Sequence, residues 1–130
     1  MERILYFPFQ NQLMSYNPGT HVLATLITSN KNRLQEYKDF QALVDKLIVA
    51  NGLQKLGEVY HNFSPAGYTA VVCLSESHLS IHTWPEYGKV NIDIYLSNFQ
   101  RNNDGTVQKI YRALQQHFDA TIENEQTIRR

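Results

Sequence analysis

Histidine and serine side chains alternate with apolar residues after position 77, and this alternation is the clearest sign of chemistry in the chain. In a strand from His78 to Trp84, every second side chain points to the same face. One face then carries His78, Ser80, His82 and Trp84, and the other carries Leu79, Ile81 and Thr83. Imidazole groups transfer protons near neutral pH, so the polar face is the first candidate for a site.

The next predicted strand, Lys89 to Ser97, alternates in the same way and fixes a register. Its apolar set is Val90, Ile92, Ile94 and Leu96, and its polar set is Lys89, Asn91, Asp93, Tyr95 and Ser97. In an antiparallel hairpin, opposing residues must lie on the same face. The tightest turn pairs Trp84 with Lys89. The same register pairs His82 with Asn91, Ser80 with Asp93, and Ser97 with Glu76, at about 5 Å between Cβ atoms.

Two alternatives to a reactive site exist for this face. A metal site is suggested because His78 and His82 share the face with Asp93. However, four strand residues separate the two imidazoles by about 13 Å, too far for one ion, so we predict no metal site. The face could also be merely solvated, as in many antiparallel sheets. The presence of Trp84 and Tyr95 favours a buried site or an interface.

Periodicity and turn residues predict the elements that position this face. Strands are predicted at His21 to Ile27, Lys55 to Phe63, Tyr68 to Glu76, His78 to Trp84 and Lys89 to Ser97, with short ones near Arg3 to Phe9 and Ala120 to Glu123. Helices are predicted from Tyr37 to Ile48, ended by Asn51-Gly52, and from Val107 to Phe118, with Thr106 as N-cap. This order predicts an α+β fold, an antiparallel β-sheet with two helices packed on one face and the other, polar face at a dimer interface.

Composition restricts the class of protein. The 130 residues fit one domain, and twelve basic residues balance twelve acidic ones without a basic run, which argues against nucleic-acid partners. Cys73 is the single cysteine, so no internal disulfide can form. The start of the chain lacks signal-peptide features, and no apolar stretch has membrane-spanning length. We therefore expect a cytoplasmic protein with no membrane partner.

The segment from Leu74 to Gly88, LSESHLSIHTWPEYG, closely resembles the processing and active-site segment of the small bacterial and archaeal S-adenosylmethionine decarboxylases. The similarity extends upstream through Tyr60 to Gly67 and loosely to His21, so residues 1–20 are interpreted as an N-terminal addition. The resemblance implies a single pyruvoyl-dependent decarboxylase domain over residues 1–130, made as a proenzyme. It implies self-cleavage into residues 1–76 and 77–130.

Roles in self-cleavage follow from the same resemblance. The serine that matches Ser77 attacks the carbonyl of Glu76, and the resulting ester eliminates to dehydroalanine and then to a pyruvoyl group. Such chemistry needs a hydroxyl nucleophile, a polarised carbonyl and a base. By resemblance, His82 supplies the acid and base function, and Thr69 occupies the position of the family's assisting hydroxyl.

Roles in substrate binding are implied as well. The aromatic residue that matches Phe63 stacks on the adenine of S-adenosylmethionine, although Phe63 could instead be a core residue. The carboxylate that matches Glu86 accepts hydrogen bonds from the ribose. The pyruvoyl group would form a Schiff base with the substrate and take up electrons as CO2 leaves, which yields the aminopropyl donor for spermidine synthesis. Because the small family members build their sites across two chains, a homodimer is expected.

One position departs from the family pattern. Ser97 stands where the family has the catalytic cysteine that reprotonates the decarboxylated carbon, and an alcohol is a much weaker acid than a thiol. Cys73, four residues before Ser77 in a continuous strand, would lie about 13 Å away, too far to substitute. The departure leaves two alternatives open: an arginine or ornithine decarboxylase on this scaffold, or a catalytically weak regulatory paralogue.

Overall fold

A computed structural model of the chain describes residues 16–130. Six strands and two helices follow in the order β1 (Thr20–Ile27), α1 (Lys38–Ala50), β2 (Lys55–Asn62), β3 (Tyr68–Leu74), β4 (Ser77–Trp84), β5 (Lys89–Leu96), α2 (Asp104–Phe118) and β6 (Thr121–Arg129). Short 3-10 helices lie at Lys31–Leu34 and Pro85–Tyr87. Within the described range, no helix is long and apolar enough to cross a membrane. The strand predicted near Arg3 to Phe9 lies outside these residues.

All six strands form one antiparallel sheet, in the order β2-β3-β4-β5-β1-β6. Strands β2 to β5 are neighbours in both sequence and space, as expected for hairpins. Strand β1 instead pairs with β5, and β6 pairs with β1 at the edge of the sheet. The predicted α+β architecture is confirmed, and the first described strand lies inside the sheet.

Both helices contribute to a core on the apolar face of the sheet. The buried residues are Phe40, Val44 and Ile48 from α1, and Val107, Ile110, Tyr111, Leu114 and Phe118 from α2. They join the apolar strand residues in one cluster, in which Ile81 and Ile94 are almost fully buried. Burial of this kind is worth roughly 1.5–3 kcal/mol per large side chain. The core therefore fixes which strand residues point to the opposite, polar face.

The register between β4 and β5 is the predicted one. Trp84 lies opposite Lys89, His82 opposite Asn91, and Ser80 opposite Asp93. The Pro85–Tyr87 turn and the left-handed Gly88, with φ of 64°, close the hairpin. Alternation in both strands, combined with one short turn, is sufficient to define this register.

Three boundaries differ from the sequence predictions. Helix α2 begins at Asp104 with Asn103 as its N-cap residue, so the prediction of Thr106 as the cap was wrong. Strand β3 ends at Leu74 rather than Glu76, and a turn follows. Strand β6 has nine residues instead of a few, and all of its residues are exposed. Exposure removes the hydrophobic alternation by which a strand is recognised, so the backbone pairing with β1 defines β6.

The backbone of Gly19 packs closely against the end of β5, at Leu96 and Ser97. A Cβ atom on Gly19 would lie 2.1 Å from the carbonyl oxygen of Leu96 and 2.9 Å from the Cα of Ser97. No other residue fits this approach without moving the backbone. Gly19 also exchanges two backbone hydrogen bonds with Arg130, which fixes the entry into β1.

Thr83 provides a test of the packing at the other end of β4. Its buried hydroxyl accepts the N–H of Tyr68 at 2.9 Å and donates to the carbonyl of Leu34 at 2.8 Å. We expect Thr83→Val, which keeps the shape but leaves both backbone groups without a partner, to lower the free energy of unfolding by about 1–3 kcal/mol. Urea unfolding of the uncleavable Ser77→Ala chain would measure it.

The matched control is Thr83→Ser, which keeps the hydroxyl and loses one methyl group. It should cost about 1 kcal/mol or less. Equal stability of the valine variant and its parent would contradict a role for these hydrogen bonds.

Candidate active site

The bond expected to be cut lies at a two-residue turn between neighbouring strands. Ser75 and Glu76 join β3 to β4, and Leu74 pairs with Ser77 across the hairpin. Ser77 has φ of 132°, a backbone conformation that non-glycine residues rarely adopt. Backbone outliers of this kind cost on the order of 1–3 kcal/mol and cluster at functional sites. The serine of the predicted scissile bond is therefore the strained residue of the turn.

The carbonyl of the same bond is already hydrogen-bonded. The backbone N–H of Ser97 donates to the Glu76 oxygen at 2.8 Å. This contact continues the β4–β5 ladder one step beyond the Ser77–Leu96 pair, so Ser97 lies beside Glu76 as predicted. A backbone N–H aimed at a carbonyl oxygen can stabilise negative charge that develops on it.

The side chain of Glu76 is held by two residues that the sequence analysis did not identify. Arg101 and Asn103 both donate to its carboxylate. Although partial burial opposes it, hydrogen bonds from Arg101 and Asn103 and the charge of Arg101 keep the pKa of Glu76 below its usual range. Both donors come from the segment between β5 and α2, where the sequence showed only a break in the pattern.

A cavity opens beside this turn. It has a volume of about 680 Å³, and Ser75, Glu76, Ser97, Phe99 and Arg101 are among the residues that line it. A volume of this size can hold a small-molecule substrate. The cavity therefore lies next to the predicted scissile bond, on the side of Glu76 and Ser97.

His82 and Thr69 form a second group on the polar face. They are direct cross-strand partners between β4 and β3, and the Thr69 hydroxyl lies 2.6 Å from Nδ1 of His82. The two residues assigned to processing by resemblance are therefore in contact. A hydroxyl at this distance orients the imidazole and defines which ring nitrogen faces outward.

Phe63 and Glu86 lie at the same end of the sheet as this second group. Phe63 follows β2 and is half exposed, so it is not a core residue. Glu86 is exposed in the turn after β4. The two segments approach each other through Gly67, which accepts the N–H of Phe63 with its carbonyl and packs against Pro85.

Within one chain, the site residues separate into two groups. Glu76, Ser77 and Ser97 lie together at one end of β4 and β5. His82 is five residues further along β4, or about 16 Å from Ser77, and Trp84, next to the turn of Glu86, is about 23 Å away. One chain therefore does not bring the predicted acid–base group to the predicted nucleophile.

A third cluster on the polar face was not predicted. Nε2 of His21 lies 2.5 Å from Oδ1 of Asp93, and Nε2 of His78 lies 3.3 Å from the same oxygen. Arg130 donates to Nδ1 of His21 at 3.2 Å, which leaves the proton on Nε2, where it is donated to Asp93. Pairing of β1 with β5 brings His21 to this place, and adjacent sequence gives no signal for that pairing.

The expected position of Cys73 was wrong. Because β3 ends at Leu74 and the chain turns back, Cys73 lies directly opposite His78, the residue after Ser77. The distance of about 13 Å assumed a strand that continued through Glu76. Its side chain is exposed and forms no disulfide bond.

Comparison with known proteins identifies sequence relatives of the chain. Residues 20–130 match the family model described as S-adenosylmethionine decarboxylase. The chain is 40% identical over 77 residues to an S-adenosylmethionine decarboxylase proenzyme of Archaeoglobus fulgidus, covering 59% of this chain and 69% of the relative. It is 36% identical over 101 residues to the proenzyme of Aquifex aeolicus, covering 78% of this chain and 70% of the relative.

A solved structure shows the same relationship in three dimensions. The crystal structure of the adenosylmethionine decarboxylase from Aquifex aeolicus superposes with a TM-score of 0.77 at 27% identity, covering 89% of this chain and 92% of that one. The family model, the relatives and the solved structure each match a large part of the chain, and the chain belongs to the S-adenosylmethionine decarboxylase family.

Proposed function

We propose that the chain is a self-cleaving proenzyme whose mature form decarboxylates S-adenosylmethionine, as a carboxy-lyase that provides the aminopropyl donor for spermidine synthesis. The observation that carries this proposal is the state of the Glu76–Ser77 bond. Ser77 is strained, with φ of 132°, and the carbonyl of Glu76 accepts the N–H of Ser97 at 2.8 Å. Family membership and the relatives' names as proenzymes support it.

Cleavage begins when the Ser77 hydroxyl attacks the Glu76 carbonyl carbon. The oxyanion that forms is held by the Ser97 N–H, and the amide bond breaks to give an ester and a free amine. Removal of the Ser77 α-proton then expels the Glu76 carboxylate and leaves dehydroalanine. Addition of water and loss of ammonia give a pyruvoyl group at the start of residues 77–130, and residues 1–76 form the other fragment.

The residues around Ser77 fit a pyruvoyl group. The new N-terminus would lie at the Glu76–Ser97 end of the sheet, where the cavity of about 680 Å³ opens. The pyruvoyl group supplies the electron-withdrawing carbonyl that stabilises negative charge as CO2 leaves. Ser97 is next to that position and is the group of this chain that we assign to proton return, with a hydroxyl in place of a thiol.

A complete site requires a second chain, since His82 is about 16 Å from Ser77 on the same strand. Suppose that two chains stack with their polar sheet faces together. If the two-fold axis lies in the interface and runs perpendicular to the strands, the strands of one sheet run opposite to those of the other. The Ser77 end of one chain then lies over the His82 and Glu86 end of its partner. We therefore propose a symmetric homodimer with two identical sites.

The uncovered sheet face supports this assembly. Val59, Val71 and Trp84 are exposed apolar or aromatic side chains on it. Phe63 is half exposed at its margin, and we assign it to stacking on the adenine; we assign the exposed Glu86 to accepting hydrogen bonds from the ribose. Thr69 and His82 would then serve the Ser77 of the partner as the processing hydroxyl and the acid–base group.

The first expected result is self-cleavage. Intact-mass measurement of the purified, denatured chain should give fragments 1–76 and 77–130, the second with a carbonyl in place of its amino group. Ser77→Ala should remain a single chain, because the nucleophile is missing. An uncut parent would contradict any pyruvoyl enzyme.

Complementation between variants tests the shared site. Ser77→Ala and His82→Ala chains should each remain uncut alone. In mixed dimers, the His82→Ala chain should be cut, because its Ser77 meets the His82 of the other chain. Fragment masses identify which chain was cut.

The control for this experiment mixes His82→Ala with a chain that carries both substitutions. No mixed dimer then contains an intact His82, and cleavage should be absent. Equal behaviour of the two mixtures would show that the site is not shared between chains.

Replacement of Ser97 tests proton return. Ser97→Cys should raise the rate of S-adenosylmethionine decarboxylation by about tenfold or more, because a thiol is the stronger acid by several pKa units. It should also reduce loss of the pyruvoyl group to alanine by misplaced protonation. Cys73→Ser is the matched control, since Cys73 is not among the residues that line the cavity beside Glu76 and Ser97, and should leave the rate unchanged. Normal processing of Ser97→Cys without a gain in rate would contradict Ser97 as the proton donor.

A further inference from the structure

The carboxylate of Glu76 uses both of its oxygens in strong contacts. Arg101 donates from Nη2 to Oε1 at 2.9 Å and from Nε to Oε2 at 3.1 Å, a side-on, two-point ion pair. Only 17% of the Glu76 side chain is exposed, compared with 44% of the Arg101 side chain. Two parallel hydrogen bonds fix orientation as well as distance, which one lysine contact would not do.

Asn103, Ser97 and Glu76 form a closed set of hydrogen bonds around the Glu76 carbonyl. Its side-chain amide donates to Oε2 of Glu76 at 2.8 Å and to the carbonyl of Ser97 at 2.9 Å. Ser97 in turn donates its N–H to the Glu76 carbonyl at 2.8 Å. Glu76 is thus held at its backbone and its side chain by two residues that also hold each other, and Asn103 is 1% exposed.

Arg101 is itself anchored to the helical layer. Its Nη2 donates to the carbonyls of Asn51 and Gly52, at 3.3 and 3.1 Å, where α1 ends. Cations are favoured at the C-terminus of a helix because the last carbonyls lack partners within it. The position of Arg101 is therefore set by α1, and that of Asn103 by its place at the start of α2.

We propose that Arg101 and Asn103 are positioning residues for self-cleavage, which hold Glu76 so that its carbonyl stays on the Ser97 N–H and within reach of the Ser77 hydroxyl. This inference rests on the self-cleavage proposed above. Intramolecular attack depends steeply on the placement of the reacting atoms, and displacement by 1 Å can cost a hundredfold in rate. The turn alone gives Glu76 no such restraint, since it is only two residues long and open to solvent on one side.

The first-order rate of self-cleavage is the quantity to measure. Each full-length chain is unfolded in acid urea immediately after cell-free synthesis, refolded by dilution, and followed by intact mass. Arg101→Met should cleave at least tenfold more slowly than the parent. Arg101→Lys keeps the charge but not the two-point contact, so its rate should lie between the two. Asn103→Ala should slow cleavage several-fold.

Chemical rescue separates positioning from a general structural role. Addition of millimolar guanidinium to an Arg101→Ala chain should raise its cleavage rate several-fold, because the free ion can occupy the place of the lost side chain. The matched control, Arg33→Met, removes an exposed arginine that contacts His117 in the helical layer and should cleave at the parental rate. Urea midpoints on the Ser77→Ala background identify any variant that is slow because it is unstable.

The outcomes distinguish this inference from the proposed function. A parent that never cleaves overturns the proposed function itself. A parent that cleaves, together with an Arg101→Met chain that cleaves equally fast, overturns only the positioning role. The positioning role is also overturned if the Arg101 variants cleave slowly only in proportion to their loss of stability, and if neither the Arg101→Lys substitution nor added guanidinium restores the rate.

Discussion

The hydrogen bond from the Ser97 N–H to the Glu76 carbonyl is the contact on which the proposed chemistry depends. It belongs to the β4–β5 ladder and continues that ladder beyond the last residue of β5. Its position follows from the hairpin register, which the alternation of apolar residues sets. The alternation that buries Ile81 and Ile94 therefore also places a hydrogen-bond donor on the carbonyl of the bond that is proposed to be cut. Core packing and the polarised carbonyl are two consequences of one register.

The same strands are the reason why the proposed site needs a second chain. A straight strand of eight residues is about 26 Å long, so its two ends cannot meet around one substrate. The predicted site residues lie near those ends, and the hydrogen-bonded cluster of His21, His78 and Asp93 lies between them, next to the Ser77 end. The proposed stacking of two antiparallel copies would resolve the separation without bending the sheet. Each copy would then supply the nucleophile for one site and the acid–base group for the other.

Sequence reasoning succeeded where a local pattern determines the structure. The strands around Trp84 and Lys89, both helices and the neighbourhood of Ser97 follow from periodicity and one short turn. It failed for Cys73, because the end of β3 was placed two residues late, and for the cap of α2, where Asn103 rather than Thr106 begins the helix.

Other parts of the site could not have been read from the sequence. Arg101 contacts Glu76 because the segment after β5 lies next to the C-terminal end of α1. His21 contacts Asp93 because β1 pairs with β5. Both contacts join residues 25 or more positions apart. No local propensity encodes such contacts, since they depend on the arrangement of the whole sheet.

The order of the strands has a consequence for the mature form. A cut at Glu76–Ser77 assigns β1, β2 and β3 to one fragment and β4, β5 and β6 to the other, yet β1 lies between β5 and β6. The two fragments are interleaved, and three ladders, β3–β4, β5–β1 and β1–β6, join them. Separating the fragments therefore requires unfolding the sheet. If the proposed cut is made, a unimolecular folding equilibrium becomes an assembly equilibrium, and the apparent stability depends on protein concentration.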